Sequence, residues 1–145
     1  MKISTKGRYA LRMLVDLAEN DKDGFISLSD IAERQGISKK YLEQIVPALN
    51  SGGILRRSRG YHGGYKLAKK PEECTVGEIL RMTEGSLAPV SCLEPGNTCD
   101  RSKACDTLFI WQGLETVVNE YLDGITLKQI INKKAKKKAN NYFLL

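Results

Sequence analysis

The segment from Ser27 to Leu67 constrains the fold more than any other part of this chain, because its glycines divide it into short pieces. A hydroxyl at Ser27 or Ser29 can cap a helix of about two turns that ends at Gly36. A second helix begins directly after the tight turn that follows. Two short helices joined in this way predict a helix-turn-helix, although such turns also occur in ordinary helical bundles.

The second of these helices should extend from Lys39 to about Asn50, with Ser38 as its cap. Pro47 falls inside it and can bend or shorten it. The second helix of a helix-turn-helix enters the major groove of DNA, so this helix is the predicted reading element. Its apolar residues recur at the spacing of one helical face: Leu42, Ile45, Val46 and Leu49.

A basic β-hairpin is predicted directly after this helix. Two short strands, Ile54 to Ser58 and Tyr65 to Leu67, flank a turn with the sequence Arg-Gly-Tyr-His-Gly-Gly. The glycines let Arg59 approach a phosphate backbone closely or place its guanidinium in a minor groove. The alternative for Gly63 and Gly64 is a tight turn and nothing more. The hairpin would form the wing of a winged helix-turn-helix.

Further helices are predicted on both sides of this region. An amphipathic helix covers Tyr9 to Ala18, and Thr75-Val-Gly-Glu78 is a capping box that opens a helix closed by Gly85. A loop of about 20 residues, 86–104, precedes a long helix over residues 108–122. Another capping box follows at Thr126-Leu-Lys-Gln129.

The long helix has an apolar stripe that must be covered. A winged domain of about 70 residues fills its core with its own three helices, so the stripe is a candidate subunit interface, and packing within one chain is the alternative. A homodimer would place two reading helices one DNA turn apart, roughly 34 to 36 Å, and so predicts a palindromic operator in double-stranded DNA. The expected fold is mainly α, with a small β-hairpin wing in a winged helix-turn-helix and a long C-terminal dimerisation helix. The stripe consists of Leu108, Trp111, Leu114, Val118, Tyr121 and Leu122.

Charge divides the 145 residues into three parts, with a net charge of +5 over 1–73, −5 over 74–124 and +6 over 125–145. We therefore expect a DNA-binding domain at 1–73, a dimerisation and sensor region at 74–132, and a basic tail at 133–145. The tail either attracts phosphates nonspecifically or is a solvated, frayed helix end. Since no apolar run is long enough for a bilayer and no secretion leader is evident, we expect a cytoplasmic protein without a membrane partner.

Four cysteines in such a chain point to metal binding or redox chemistry rather than to structural disulfides. Cys92, Cys99 and Cys105 lie in and just beyond the long loop, with six and five residues between them, so their thiols can converge. Zinc prefers shorter gaps and a two-iron cluster accepts wider ones, but the spacing alone leaves both open. Cys74 lies apart and is expected to be a buried bystander.

Five motifs are specific in combination: Met1-Lys-Ile-Ser-Thr-Lys-Gly-Arg-Tyr-Ala10, Ile31-Ala-Glu-Arg-Gln-Gly-Ile-Ser38, Tyr41-Leu-Glu-Gln44, Arg59-Gly-x-x-Gly-Gly-Tyr65 and Val76-Gly-Glu-Ile79. Together they resemble the IscR/NsrR/CymR family of bacterial winged-helix repressors. The resemblance covers residues 1 to about 132. The three-cysteine loop is most similar to the iron-sulfur, IscR-like branch of that family.

The resemblance implies a homodimeric transcription regulator of iron-sulfur cluster biogenesis genes, not an enzyme, with no small-molecule substrate. A [2Fe–2S] cluster on Cys92, Cys99 and Cys105 would alter which DNA sites are bound. In the family, the glutamate at the position of Glu43 discriminates against one class of site when no cluster is present. The alternative for Glu43 is a solvated helix face with a salt bridge to Lys39 or Lys40. The implied DNA-binding residues are Ser38, Lys40, Tyr41, Glu43 and Gln44 of the helix and Arg59 and Gly60 of the wing.

One position departs from the family. IscR-like regulators commonly complete the cluster with a histidine three residues after the third cysteine, where this chain has Leu108, which cannot ligate. The single histidine, His62, lies in the predicted wing, where we expect it to touch DNA or solvent. An oxygen from Asp106, Asp100 or Glu94, or a residue of a partner subunit, remains as the fourth ligand, and a weaker ligand would make a cluster more labile.

Two alternatives stay open. One is a metal-free thiol-redox or cysteine-metabolism regulator of the same family, which either acts by oxidation among the three loop cysteines or is controlled by a partner enzyme, as in the CymR branch. The other is a cluster-bearing electron-transfer protein. The sequence offers little for an enzyme of that kind, since it has no glycine-rich nucleotide motif and one histidine.

Overall fold

The computed structural model describes residues 1–22 and 24–143, so Asp23 and the last two residues of the predicted tail, Leu144 and Leu145, lie outside the described residues. It confirms a mainly helical fold with an antiparallel two-stranded hairpin. Among the described residues, no helix is long and apolar enough to cross a membrane. The elements are α1 (Thr5–Glu19), α2 (Leu28–Gln35), α3 (Lys39–Ser51), β1 (Leu55–Ser58), β2 (Gly64–Leu67), α4 (Val76–Glu84), α5 (Leu108–Asp123) and α6 (Leu127–Phe143), with single 3-10 turns at Pro71–Glu73, Ser91–Leu93 and Ser102–Ala104.

Hydroxyl caps fix the helix-turn-helix. Ser27 rather than Ser29 begins α2, because its Oγ accepts a hydrogen bond from the amide of Asp30 at 3.1 Å. The Oγ of Ser38 accepts from the amide of Tyr41 at 3.1 Å and begins α3. Both caps satisfy amides that have no partner inside their own helix. The turn between α2 and α3 is therefore held at the start of the reading helix.

The two predicted capping boxes form to different extents. At α6 both halves are present: the Gln129 amide donates to the Thr126 hydroxyl at 3.3 Å, and the Thr126 amide donates to Gln129 Oε1 at 2.8 Å. At α4 only the Thr75 hydroxyl half is present. The Glu78 carboxylate instead accepts from the Lys69 ammonium at 2.6 Å, because a nearby cation is a stronger partner than a neutral amide.

α1 lies at the centre of the core, in contact with α2, α3, β2, α4 and α6. Its buried face, Ala10, Met13, Leu14 and Leu17, packs with buried residues of every other helix except α5. α6 joins this core through Leu127, which is fully buried, and through Ile130. α5 has no buried residue and packs against α4, where Leu122 contacts a smaller cluster of Val76, Leu80 and Leu87.

A buried carboxylate ties α2 to α1. Asp16 is 1% exposed and accepts three hydrogen bonds from the Arg34 guanidinium, the shortest at 2.7 Å, and one from Gln35 Nε2 at 2.9 Å. The pKa of Arg34 is raised because its hydrogen bonds to Asp16 favour the charged guanidinium. Arg12 of α1 donates in turn to the side chain and backbone oxygens of Gln35. We call these four residues the Asp16 network.

Replacement of Asp16 by Asn tests this network. The variant keeps the shape but loses charge-assisted hydrogen bonds, so we expect the free energy of unfolding to fall by about 1 to 3 kcal/mol. Urea unfolding followed by circular dichroism measures it. Asp21→Asn, at an exposed position near the end of α1, is the matched control and should leave stability within about 0.5 kcal/mol. Equal stability of the two variants would contradict a structural role for the network.

Candidate nucleic-acid interface and cysteine loop

α3 separates its residues into a buried and an exposed face. Leu42, Ile45, Val46 and Leu49 are buried, as the spacing predicted. Pro47 lies on the exposed face and does not end the helix, which continues to Ser51. The same exposed face carries the polar residues Lys39, Lys40, Glu43, Gln44 and Asn50, all available to a partner.

A cleft of about 820 Å³ separates α3 from the hairpin. Three cations, Lys39, Arg57 and Arg59, face it together with one carboxylate, that of Glu43, so the cleft has an excess of positive charge. A positively charged concave surface beside an exposed helix suits the phosphate backbone of a duplex. The cleft is lined by Ser27, Leu28, Ser29, Lys39, Glu43, Val46, Pro47, Asn50, Arg57, Ser58, Arg59, Gly60, Gly63, Gly64 and Tyr65.

The predicted DNA-binding residues fall into two groups. Glu43, Arg59 and Gly60 line the cleft, and Glu43 forms no ion pair with Lys39 or Lys40 within the described part of the chain. Ser38, Lys40, Tyr41 and Gln44 lie at the start of α3, outside the cleft lining. Ser38 and the exposed Lys40 and Gln44 leave their polar atoms accessible, whereas Tyr41 is half-buried and packs edge-on against Tyr9, with ring centroids 5.3 Å apart.

The hairpin is fixed to the helix-turn-helix by a third extended segment. Ile26 and Tyr65 exchange backbone hydrogen bonds of 2.8 and 2.7 Å, which joins β2 to the residues just before α2. A Cβ atom at Gly64 would overlap the backbone carbonyl of Ile26, so Gly64 permits this close approach. Gly60 adopts φ +105° at the tip, and the tip residue Tyr61 is 99% exposed. The wing therefore has a fixed base and an exposed tip.

Three residues of α3 that line the cleft were not among the predicted contacts, and neither was Arg57 of the hairpin. Lys39 and Pro47 lie four residues on either side of Glu43, and Asn50 lies one turn further, so helical spacing from Glu43 could have identified them. Arg57 pairs with Tyr65 across the hairpin, and its guanidinium lies over the Tyr65 ring at 5.9 Å from the centroid. The sequence indication for Arg57 was its position opposite Tyr65 in the predicted hairpin, because the length of the turn sets this register.

The cysteine loop joins α4 to α5. Cys92, Cys99 and Cys105 are free thiols of intermediate exposure, and the loop contains two 3-10 turns where the sequence predicted no regular structure. Hydrogen bonds from the hydroxyl and amide of Thr107 lower the pKa of Cys105. Within the described residues, no three His, Cys, Asp or Glu side chains are grouped as metal ligands. The structure thus places the three thiols on one loop without a preformed ligand cluster.

The loop is also attached to the start of the chain. The Met1 ammonium donates to the carbonyl of Pro89 at 3.3 Å. The Ser4 hydroxyl donates to Glu84 Oε1, at the end of α4, at 2.6 Å, and the Ser4 amide donates to the same oxygen at 3.1 Å. This contact joins the start of one helix to the end of another: Ser4 caps α1, and Glu84 is the last residue of α4, just before the cysteine loop.

α5 has two apolar faces rather than the single predicted stripe. Leu108, Trp111, Val118 and Leu122 are half-buried. Ile110, Leu114, Val117 and Tyr121 recur at helical spacing on an exposed face, where Val117 is 62% exposed. The predicted stripe mixed residues of both faces, because periodicity does not tell which side of a helix its own chain covers.

These features define a winged helix-turn-helix protein with a basic cleft between α3 and the wing. The Rrf2 family, described as "Iron-dependent Transcriptional regulator", matches residues 3–133, and the chain belongs to this family of transcription regulators, which are not enzymes.

Relatives from two branches are about equally similar to this chain. CymR of Bacillus subtilis is 38% identical over 130 residues, which cover 90% of this chain and 89% of CymR. The solved structure of CymR has a TM-score of 0.74 at 37% identity, and the match covers 92% of this chain and 98% of that one. IscR of Aliivibrio salmonicida is 37% identical over 131 residues, 90% of this chain and 77% of that protein. A solved IscR of T. potens has a TM-score of 0.71 at 36% identity and covers 92% and 88% of the two chains.

The four thiols should differ in reactivity. Burial raises the pKa of Cys74 to about 11, and its side chain is fully buried. At pH 8 on the order of one Cys74 thiol in a thousand is ionised, and the thiolate is the reactive form. We expect metal-free native protein to take up three equivalents of iodoacetamide at pH 8 and a fourth only in denaturant, measured by mass spectrometry with peptide mapping. Rapid native labelling of Cys74 would contradict its placement.

Proposed function

We propose that this regulator acts in the cytoplasm as a homodimer on a palindromic operator, with its choice of site set by a [2Fe–2S] cluster on Cys92, Cys99 and Cys105. The genes under its control would be those of iron-sulfur cluster biogenesis. The proposal divides the chain into a DNA-binding domain (1–73), a dimerisation and sensor region (74–132) and a basic tail (133–145). One observation carries it: three accessible free thiols lie on the segment that joins α4 to the exposed apolar face of α5.

α3 and the wing would share the contacts with DNA. Gln44 is exposed and can bond an adenine edge, and Glu43 can accept from a cytosine amino group in the major groove. Lys40, Tyr41 and Ser38 at the start of α3 would bond phosphates. Arg59 and Gly60 form the tip that approaches the backbone or the minor groove.

The donor set fits an iron-sulfur cluster in its chemistry. Thiolates are the usual ligands of such clusters, and the three loop thiols belong to no disulfide. Leu108, at the position of the family's histidine, begins α5 and offers no donor atom. Asp106, which is exposed beside Cys105, would supply an oxygen, with Asp100 and Glu94 as the other carboxylates of the loop. When bound, the cluster supplies a centre that is lost under oxidants and iron shortage.

Contacts at the start of the chain provide a route from the loop to the DNA-binding surface. A loop that closes around three cysteine ligands would pull on Pro89 and on the end of α4 at Glu84, which hold Met1 and Ser4. Ser4 caps α1, and α1 packs against α2 and α3. A shift at the loop therefore changes the support of the reading helix, which couples the two sites.

Single substitutions test the cluster. In protein isolated anaerobically, Cys92→Ala, Cys99→Ala and Cys105→Ala should each lose visible absorbance and labile sulfide. Cys74→Ala is the matched control and should retain both, because Cys74 is buried in the main core. Affinity for the protein's own promoter, measured by fluorescence anisotropy, should change in the three loop variants alone. A wild type without iron, or a control that behaves like Cys92→Ala, would contradict the cluster proposal.

A second candidate is a metal-free thiol regulator. The similarity to CymR supports this candidate as strongly as the similarity to IscR supports the cluster. Cys92, Cys99 and Cys105 are accessible enough to be oxidised without any metal. Mass analysis after mild peroxide separates the candidates. A reversible disulfide among these cysteines in iron-free protein, together with altered DNA affinity, supports the thiol regulator.

The exposed stripe of α5 is the proposed dimer interface. Val117→Glu places a charge in its centre, and burial of an unpaired charge in an interface is unfavourable, so we expect a monomer in analytical ultracentrifugation. Gln112→Glu makes the same change of charge at an exposed position outside the stripe and should leave the dimer intact. A dimeric Val117→Glu variant would exclude this face as the interface.

A further inference from the structure

The lysines of α6 form a strongly basic helical surface. Lys133, Lys134, Lys136, Lys137 and Lys138 are all exposed, and the sequence has no acidic residue after Asp123. The segment is helical through Phe143. Like charges one turn apart destabilise a helix, so this concentration of lysines needs an explanation beyond helix formation.

The first part of α6 is fixed on the DNA-binding domain. Leu127 is fully buried, Ile130 contacts both apolar clusters, and Lys134 donates to the Glu19 carboxylate at 2.7 Å. These three contacts follow one face of the helix for two turns. The lysines therefore have a defined position relative to α1 and α2.

That position is continuous with the start of the reading helix. Lys134 lines one groove with Arg12 and Gln35, and Gln35 is the last residue of α2, three residues before the Ser38 cap. Arg12 also lies over the ring of Tyr9 at 5.3 Å, and Tyr9 packs against Tyr41 of α3. A chain of direct neighbours thus connects Tyr41 to Lys134.

The charges along this path favour a polyanion. A groove of about 650 Å³ is lined by Lys134, Lys138 and Arg34 together with two carboxylates. Both carboxylates are already engaged, Asp16 by Arg34 and Glu19 by Lys134. Within the described residues, Lys138 has no carboxylate within ion-pair distance. Duplex DNA, the ligand proposed for α3, has phosphates that carry the complementary charge.

We propose that Lys138, which lines this groove, and the exposed Lys137 beside it bind backbone phosphates of the DNA that flanks the bases read by α3. This surface supplies affinity without sequence preference, and Lys134 positions it through its ion pair with Glu19. The inference rests on the proposed contacts of α3 and the wing with DNA, and it is independent of any cluster.

The double variant Lys137→Gln/Lys138→Gln tests the surface, since glutamine preserves helix propensity. Its binding to a 40-base-pair duplex of mixed sequence, and to the protein's own promoter, is measured between about 50 and 200 mM salt. The slope of log K against log salt is negative, and each lost phosphate contact reduces its magnitude by about 0.9. The magnitude should therefore fall by about 2 per protomer on both duplexes. Circular dichroism should show unchanged helix content.

The matched control is Lys70→Gln/Lys128→Gln, which removes the same charge. Lys128 lies in the first turn of α6, at the opposite end from Lys137 and Lys138, and Lys70 lies just before the neighbouring 3-10 turn at Pro71–Glu73. Its salt slope should equal that of the wild type. An equal fall in both variants, or no fall in either while the wild type binds, would overturn the lysine surface. Absence of DNA binding by the wild type itself would count against the proposed function, so the two failures are distinguishable.

Discussion

The buried carboxylate of Asp16 is the interaction on which the DNA-binding surface depends. α2 has eight residues and buries two of them, Leu28 and Ile31, so apolar packing alone holds it weakly. The bonds from Arg34 and Gln35 to Asp16 fix its last turn against α1. Since that turn leads directly into α3, the orientation of the reading helix follows from a polar contact made behind it. A buried carboxylate with four hydrogen bonds is specific in direction, which apolar contacts are not.

The same network supports two surfaces at once. On one side it holds the helix-turn-helix, and on the other Arg34 and Gln35 line the groove that faces α6. The cleft between α3 and the wing has a second fixed point, the backbone pairing of Ile26 with Tyr65. The basic surfaces of α3, the wing and α6 are therefore connected to one another through the Asp16 network and the pairing of Ile26 with Tyr65.

Features that depend on a few neighbouring residues could be predicted from the sequence, and those that depend on distant ones could not. The helices, the Ser38 cap and the hairpin follow from local spacing. The attraction of Glu78 to Lys69 depends on a cation nine residues away, and it replaced half of a predicted capping box. The division of α5 into two faces depends on where α4 lies. The resemblance to a family supplied the candidate contacts of α3, and helical spacing from Glu43 extends them to the cleft residues Lys39 and Asn50.

The cysteine loop lies where the proposed sensor could rearrange at a small cost in free energy. Between Ser86 and Thr107, all of which are described, Leu87 is the one buried residue, so the loop can rearrange without exposing much core. Its ends, however, are held by α4 and α5, and Pro89 holds the Met1 ammonium. In the proposed sensor, rearrangement would therefore be inexpensive within the loop and would reach α1 through a few polar contacts. Such contacts are consistent with a coupling free energy of about 1 to 3 kcal/mol, which changes affinity by about 5- to 150-fold. A change of that size would suffice for the proposed shift between operators, with the shared affinity for the DNA backbone retained.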